Sequence, residues 1–349
     1  MTWYSTHSKG RFMQKKSKLA VLIILTILAA GCTSVKPITN ITTLNTLYQY
    51  KIIDSSNKKS LSVIKLAENL KSTHVIFMGE FHSHQGAHKL QLDLLEALFK
   101  QNPNMILSME QFGRDAQPIL DGYLAGKYGE NTLIDDANAW PNYKGSYRAI
   151  VEFAKEQKIP VIAANAPAMF VRCVGRKGVE VLQSIPEEQQ AWSARKLDLE
   201  NEKYKAKFMS FMTESGSRHG QTDEVAKKRM MNTYAAQLLR DTTMAESIDQ
   251  AMTQYPNHQV IHLNGSFHSD GYLGTVAVLE SMQPDLVTSV MSPVMVADPK
   301  NPAATEEQYA QGDYLYLLKN MPARYIDKDK SNASIRKLIT SRMKKKCEL

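Results

Sequence analysis

The chain has 349 residues, 43% hydrophobic and 22% charged, an ordinary globular composition that excludes a disordered, collagen-like or multi-span membrane protein. Its formal charge of +8 is concentrated at the start, because residues 1–31 carry Lys9, Arg11, Lys15, Lys16 and Lys18 with no acid, which leaves +3 for the rest. A near-neutral remainder argues against nucleic acid as a partner, since phosphate recognition needs concentrated positive charge.

The first segment with a clear message is residues 15–32, KKSKLAVLIILTILAAGC. Residues 19–30 form a mostly apolar run of 12, well short of the roughly 20 residues that span a bilayer, so the segment reads as a secretory h-region. Ala29-Ala30-Gly31-Cys32 resembles the bacterial lipobox, which implies cleavage before Cys32 and lipidation of its sulfur. Thr33 stands where an Asp would retain the product at the inner membrane. The expectation is therefore a lipoprotein anchored in the outer membrane, with its soluble domain in the periplasm. Residues 1–31 are the signal peptide, 32–45 the tether, 46–320 the folded domain and 321–349 a basic tail. Cys173 and Cys347 remain; an oxidising compartment permits them to pair, but nothing in the sequence brings them together.

Strand-length apolar runs then alternate with segments of helical period, the pattern of an α/β fold with a mostly parallel sheet flanked by helices. Residues 74–78 are the first buried strand. Ala87, Leu90, Leu94, Leu95 and Leu98 follow at helical spacing until Pro103, and residues 105–109 make the second strand. Tyr147, Ile150, Val151 and Ala154 give the next helix face, followed by a strand at 160–164. A fourth strand at 259–263, a helix at 275–282 and strands at 286–296 and 314–318 complete the pattern.

Between 186 and 255 the alternation stops. Met231, Tyr234, Leu238, Ala245, Ile248 and Met252 mark one long amphipathic helix, and Trp192, Leu199, Tyr204, Phe208 and Met212 mark another before it. This insertion predicts a helical hairpin or cap over one edge of the sheet. Six of the 17 methionines fall between Met209 and Met252, and such adaptable side chains suit either a core or a large apolar ligand.

Ligands of open α/β sheets bind beyond the carboxyl ends of the strands. There the sequence places Gly79-Glu80-Phe81-His82, then Glu110-Gln111-Phe112, Asn165-Ala166-Pro167 and Gly265-Ser266-Phe267-His268. The pattern Gly-x-Phe-His thus recurs directly after two strands. His82, His268, Glu80 and Glu110 together form a set able either to bind a divalent metal or to perform acid/base chemistry. His84 and His88 fall at a helix start, and His262 falls inside a strand as a core side chain.

These residues, with Arg114-Asp115, Trp140, Tyr143, Tyr147, Ala163-Ala164-Asn165, Arg240-Asp241 and Met244-Ala245, make residues 45–295 resemble the ChaN family of haem-binding lipoproteins, within the Tiki superfamily. The resemblance implies haem acquisition at the outer membrane, with haem as ligand and an outer-membrane haem receptor as partner. It also implies that the paired Gly-x-x-His motifs and a glutamate descend from a metal-dependent peptidase site. Two functions follow. One is haem binding without turnover, for which Tyr204 or the Tyr143/Tyr147 pair are candidate iron donors and Lys203 and His219 candidate neighbours of the ligand. His219, between Gly216 and Gly220, reads equally as a loop residue. The other is a divalent-metal-dependent hydrolase, peptidase or esterase, using Glu80, His82, Glu110 and His268. Exposed haem faces would also favour a homodimer.

Overall fold

In the computed structural model residues 42–214 and 224–349 are described. Cys32, His219 and the leader therefore lie outside the described residues. An eight-stranded sheet runs in the order β2-β1-β8-β7-β3-β6-β4-β5. Its parallel part comprises β3 (Val75–Glu80), β4 (Met105–Gly113), β5 (Val161–Asn165), β6 (Gln259–Gly265), β7 (Thr288–Val296) and β8 (Tyr314–Lys319). β1 (Tyr50–Asp54) pairs antiparallel with β8 and with the two-residue β2 (Ser60–Leu61), closing one edge.

Strand alternation divides the core between the two faces. Ile76 and Met78 join Leu90, Leu94, Leu107, Met109 and Ile261 beneath the helices Gln85–Gln101 and Arg148–Gln157. Val75 and Phe77 point the other way, onto Ile106, Ala245, Ile248, Val260 and Val276. All are fully buried, which is why these strands read as nearly continuous apolar runs. At the far edge, Gln117 accepts from the Ala163 N–H at 2.7 Å and donates to the Val161 carbonyl at 2.9 Å. That side chain takes up backbone groups an edge strand would otherwise leave open.

The helical insertion differs from its sequence reading in two ways. Trp192 ends a short 3-10 segment, Glu187–Trp192, and the first hairpin helix begins only at Glu202, running to Glu214. The long helix Glu224–Gln254 is more than a cap, because Ala245 and Ile248 in its second half pack directly under the sheet. Its first half carries the cap, where Tyr234 and Leu238 bury against Tyr204 and Phe208. The tail also gains structure. Asp327 accepts from the backbone N–H groups of Asp329 and Lys330 and starts the helix Lys328–Lys344. Cys347 is disulfide-bonded to Cys173 of the helix Ala168–Lys177, across 174 residues of chain. Among the described residues no helix is long and apolar enough to cross a membrane.

Candidate functional site

The carboxyl ends of three adjacent strands, β3, β6 and β4, converge on one rim. Glu80 stands level with Gly265 in the β3–β6 register, and Glu110 reaches across from β4 to accept from the Gly265 N–H at 2.6 Å. The His82 ring lies over the same glycine: a Cβ at Gly265 would sit 2.7 Å from its Cε1 and 3.5 Å from Glu110 Oε2. His268 comes within 3.4 Å of the other Glu110 oxygen. The two Gly-x-Phe-His turns, far apart in sequence, therefore meet around a single carboxylate.

The two histidines are nonetheless held differently. His268 is buried, with Nδ1 2.7 Å from Asp241 Oδ1 and Nε2 facing Glu110. Burial works against its charge, but the two flanking carboxylates prevail and push its pKa up to about 10. Glu110 shows the reciprocal effect. Its own burial favours the neutral acid, yet His268, the field of His82 and the Gly265 N–H hold it well below the usual carboxylate range. Asp241 also accepts from Tyr204 at 2.7 Å and Thr275 at 2.9 Å. Gly274, at φ +61°, leaves room for this knot, since a Cβ there would lie 2.9 Å from Asp241 Oδ1 and 2.6 Å from the His268 carbonyl.

His82 is the open member, its side chain 45% exposed. Its Nδ1 lies 2.8 Å from Glu80 Oε1, and its Nε2 has no hydrogen-bond partner among the described residues. Burial lowers its pKa, but the Glu80 hydrogen bond and the charges of Glu110 and Glu80 more than offset that and leave it raised. Trp140 packs edge-on against the ring at 4.7 Å. Glu80 itself is saturated. Besides His82 it accepts from Tyr147 at 2.6 Å, from Gln91 at 2.5 Å and from Gln111 at 3.1 Å.

This arrangement places the expected ligand sets. Glu80 has no free oxygen and both His268 nitrogens face carboxylates. Among the described residues no group of three or more His, Cys, Asp or Glu side chains is placed to share a metal ion. The three tyrosines are engaged inside the protein. Tyr204 is 1% exposed and bonded to Asp241, Tyr147 is buried on Glu80, and Tyr143 is a core ring beside Phe112. Burial pushes all three phenols up. Lys203 is exposed on the hairpin helix, on the solvent side of Tyr204. His84 caps the helix Gln85–Gln101 and reaches the Lys319 carbonyl at 2.7 Å, His88 lies beside Gln91, and His262 bonds Ser108 within the core.

The sequence names Gln111 and Asp241 only as motif residues without a role and does not name Gln91, although a signal for two of the three is present. Asp241 stands in the apolar stripe between Leu238 and Ala245, and Gln91 between Leu90 and Leu94, positions where a polar side chain needs a buried partner.

The chain is thus an α/β protein whose mixed sheet carries a histidine–carboxylate rim at its strand ends. A family model described as "Haem-binding uptake, Tiki superfamily, ChaN" matches residues 66–279, and the chain belongs to that family. Among solved structures it is similar to ChaN of Campylobacter jejuni, described by its cofacial haem binding. That likeness has 17% identity and a TM-score of 0.59, over 78% of this chain and 97% of that one. A looser likeness, with 13% identity and a TM-score of 0.41, is to a mutant of the erythromycin esterase EreC in its open conformation, over 84% and 86% of the two chains. No curated protein matches.

Proposed function

We propose that this chain is a haem-binding lipoprotein of the outer membrane, acting in haem and iron acquisition and holding its ligand without turning it over. The observation that carries the reading is His82. It is the exposed imidazole of the rim, with Nδ1 fixed by a buried carboxylate and Nε2 without a hydrogen-bond partner among the described residues. Histidines that ligate metals characteristically donate their second ring N–H to a carboxylate, which fixes the tautomer and strengthens the donor. His82 would then hold the iron, a part for which the sequence offered the tyrosines as candidates. Iron protoporphyrin also needs an apolar edge and a cation for its propionates. Trp140 supplies the first, beside His82. Arg240 supplies the second: half-buried next to Asp241, it makes no side-chain hydrogen bond or ion pair among the described residues, and the field of Glu110 reaches it.

Anchoring through Cys32, receipt of haem from an outer-membrane receptor and a haem-linked homodimer belong to the same proposal. The lipobox and the cofacial binding described for the Campylobacter protein support them. The test is a hemin titration of the purified chain. A Soret band shifted from that of free hemin is expected, and His82→Ala should abolish the shift.

One observation favours a second reading, hydrolysis. The Glu80–His82 pair has the form of an oriented general base. Metal-stimulated cleavage of a peptide or ester, lost in His82→Ala and accompanied by no Soret shift, would make that reading the better one.

A further inference from the structure

The helix Lys328–Lys344 has no buried residue. Short isolated helices are marginal in water, and helices in proteins gain most of their stability by packing an apolar face. Here Ile335, Leu338, Ile339 and Met343 recur at helical spacing, and all four are exposed, Met343 at 74%. Tyr325 and Ile326 precede the helix, and Ile326 is 96% exposed. Around this apolar stripe, residues 328–346 carry eight Lys or Arg against one acid, Asp329. The far end is fastened: Cys347 is bonded to Cys173, Arg176 donates to the Arg342 carbonyl at 2.8 Å and Arg172 to the Lys346 carbonyl at 2.9 Å. The helix also lies outside residues 66–279, the part shared with the family.

An exposed apolar stripe within a strongly cationic helix is complementary to one kind of surface, a bilayer rich in anionic phospholipid. There the aliphatic side chains enter the acyl boundary and the lysines and arginines meet the headgroups. We infer that the helix Lys328–Lys344 is a peripheral membrane-docking element for an anionic lipid surface, clamped to the domain by the Cys173–Cys347 disulfide. Tyr325, beside the stripe, has the amphipathic ring suited to the headgroup level. The inference does not rest on the haem site.

Hydrogen exchange on the full chain tests it with a readout local to the helix. Amides of residues 335–343 should exchange at least about tenfold more slowly with phosphatidylglycerol-containing vesicles, and at an unchanged rate with pure phosphatidylcholine. Arg336→Gln with Lys337→Gln should weaken the effect by roughly fivefold for each cation removed. Leu338→Glu with Ile339→Glu should abolish it while leaving the circular dichroism and the hemin titration as they were, whatever the outcome of that titration. No protection on anionic vesicles, or equal protection on neutral ones, overturns the inference. So does protection that rises with protein concentration in the absence of lipid, which would show a second copy of the chain covering the face.

Discussion

His82 Nδ1 and Glu80 Oε1 lie 2.8 Å apart, and three neutral donors, Tyr147, Gln91 and Gln111, hold the same carboxylate in place. A carboxylate fixed from four directions keeps the imidazole in one orientation, with its Cε1–Nε2 edge against Gly265. Glu80→Gln removes the charge and keeps the shape. Hemin affinity should then fall by about 10- to 100-fold, the usual cost of losing such a partner. Absorbance titration measures it, and an unchanged affinity would show that His82 is not the donor.

Gly265 offers a subtler perturbation. Its backbone, at φ −58° and ψ 135°, suits any residue, so Gly265→Ala introduces no strain in the main chain. The added methyl would stand 2.7 Å from His82 Cε1 and 2.8 Å from Nε2, so the ring must move. Stability should change by no more than about 1 kcal/mol while hemin affinity falls roughly tenfold or more. Parallel urea melts and titrations separate the two effects. A loss of stability with haem binding intact would mean the ring is not where the ligand sits.

The tyrosines provide the opposite test. Tyr204→Phe deletes a buried hydrogen bond to Asp241, and Tyr147→Phe deletes one to Glu80. Each should cost about 1–3 kcal/mol in chemical denaturation, because a buried carboxylate loses a donor. Neither should remove the Soret band of the hemin complex. A tyrosine that ligated the iron would instead lose or reshape it.

The parts of this site legible in the sequence are those set by local pattern. Buried parallel strands are continuous apolar runs, so β3 and β6 and the Gly-x-Phe-His turns at their ends could be read directly, and the turns do meet. The ring of donors around Glu80 could not be paired off, because Gln91, Gln111 and Tyr147 lie 11, 31 and 67 residues away and are joined to it only by the fold. The same holds for Cys173 and Cys347, 174 residues apart. Trp192 and Leu199 misled for a different reason. Their spacing of seven imitates a helix face, although the chain there is a 3-10 segment and a connection leading to Glu202. β1 escaped because it is a five-residue strand beside the edge, with only Ile52 and Ile53 buried.

The Glu110–His268–Asp241 chain predicts how stability depends on pH. His268 has an ordinary pKa of 6.5 and is held at about 10 in the folded protein, so folding favours the protonated form. The stabilisation is fully present below about pH 6.5 and is lost progressively as pH rises through about 10. It amounts to a few kcal/mol at most, since the same burial that strengthens the ion pairs also penalises the charge. Urea unfolding of the native sequence should therefore give a declining free energy across that window. His268→Gln should be less stable at neutral pH by about 3–5 kcal/mol, because Asp241 and Glu110 then stay buried without their cation. Its stability should also be flatter between neutral pH and pH 10 than that of the native chain. If the variant retains the full alkaline slope, other groups carry it and His268 is not an imidazolium at neutral pH.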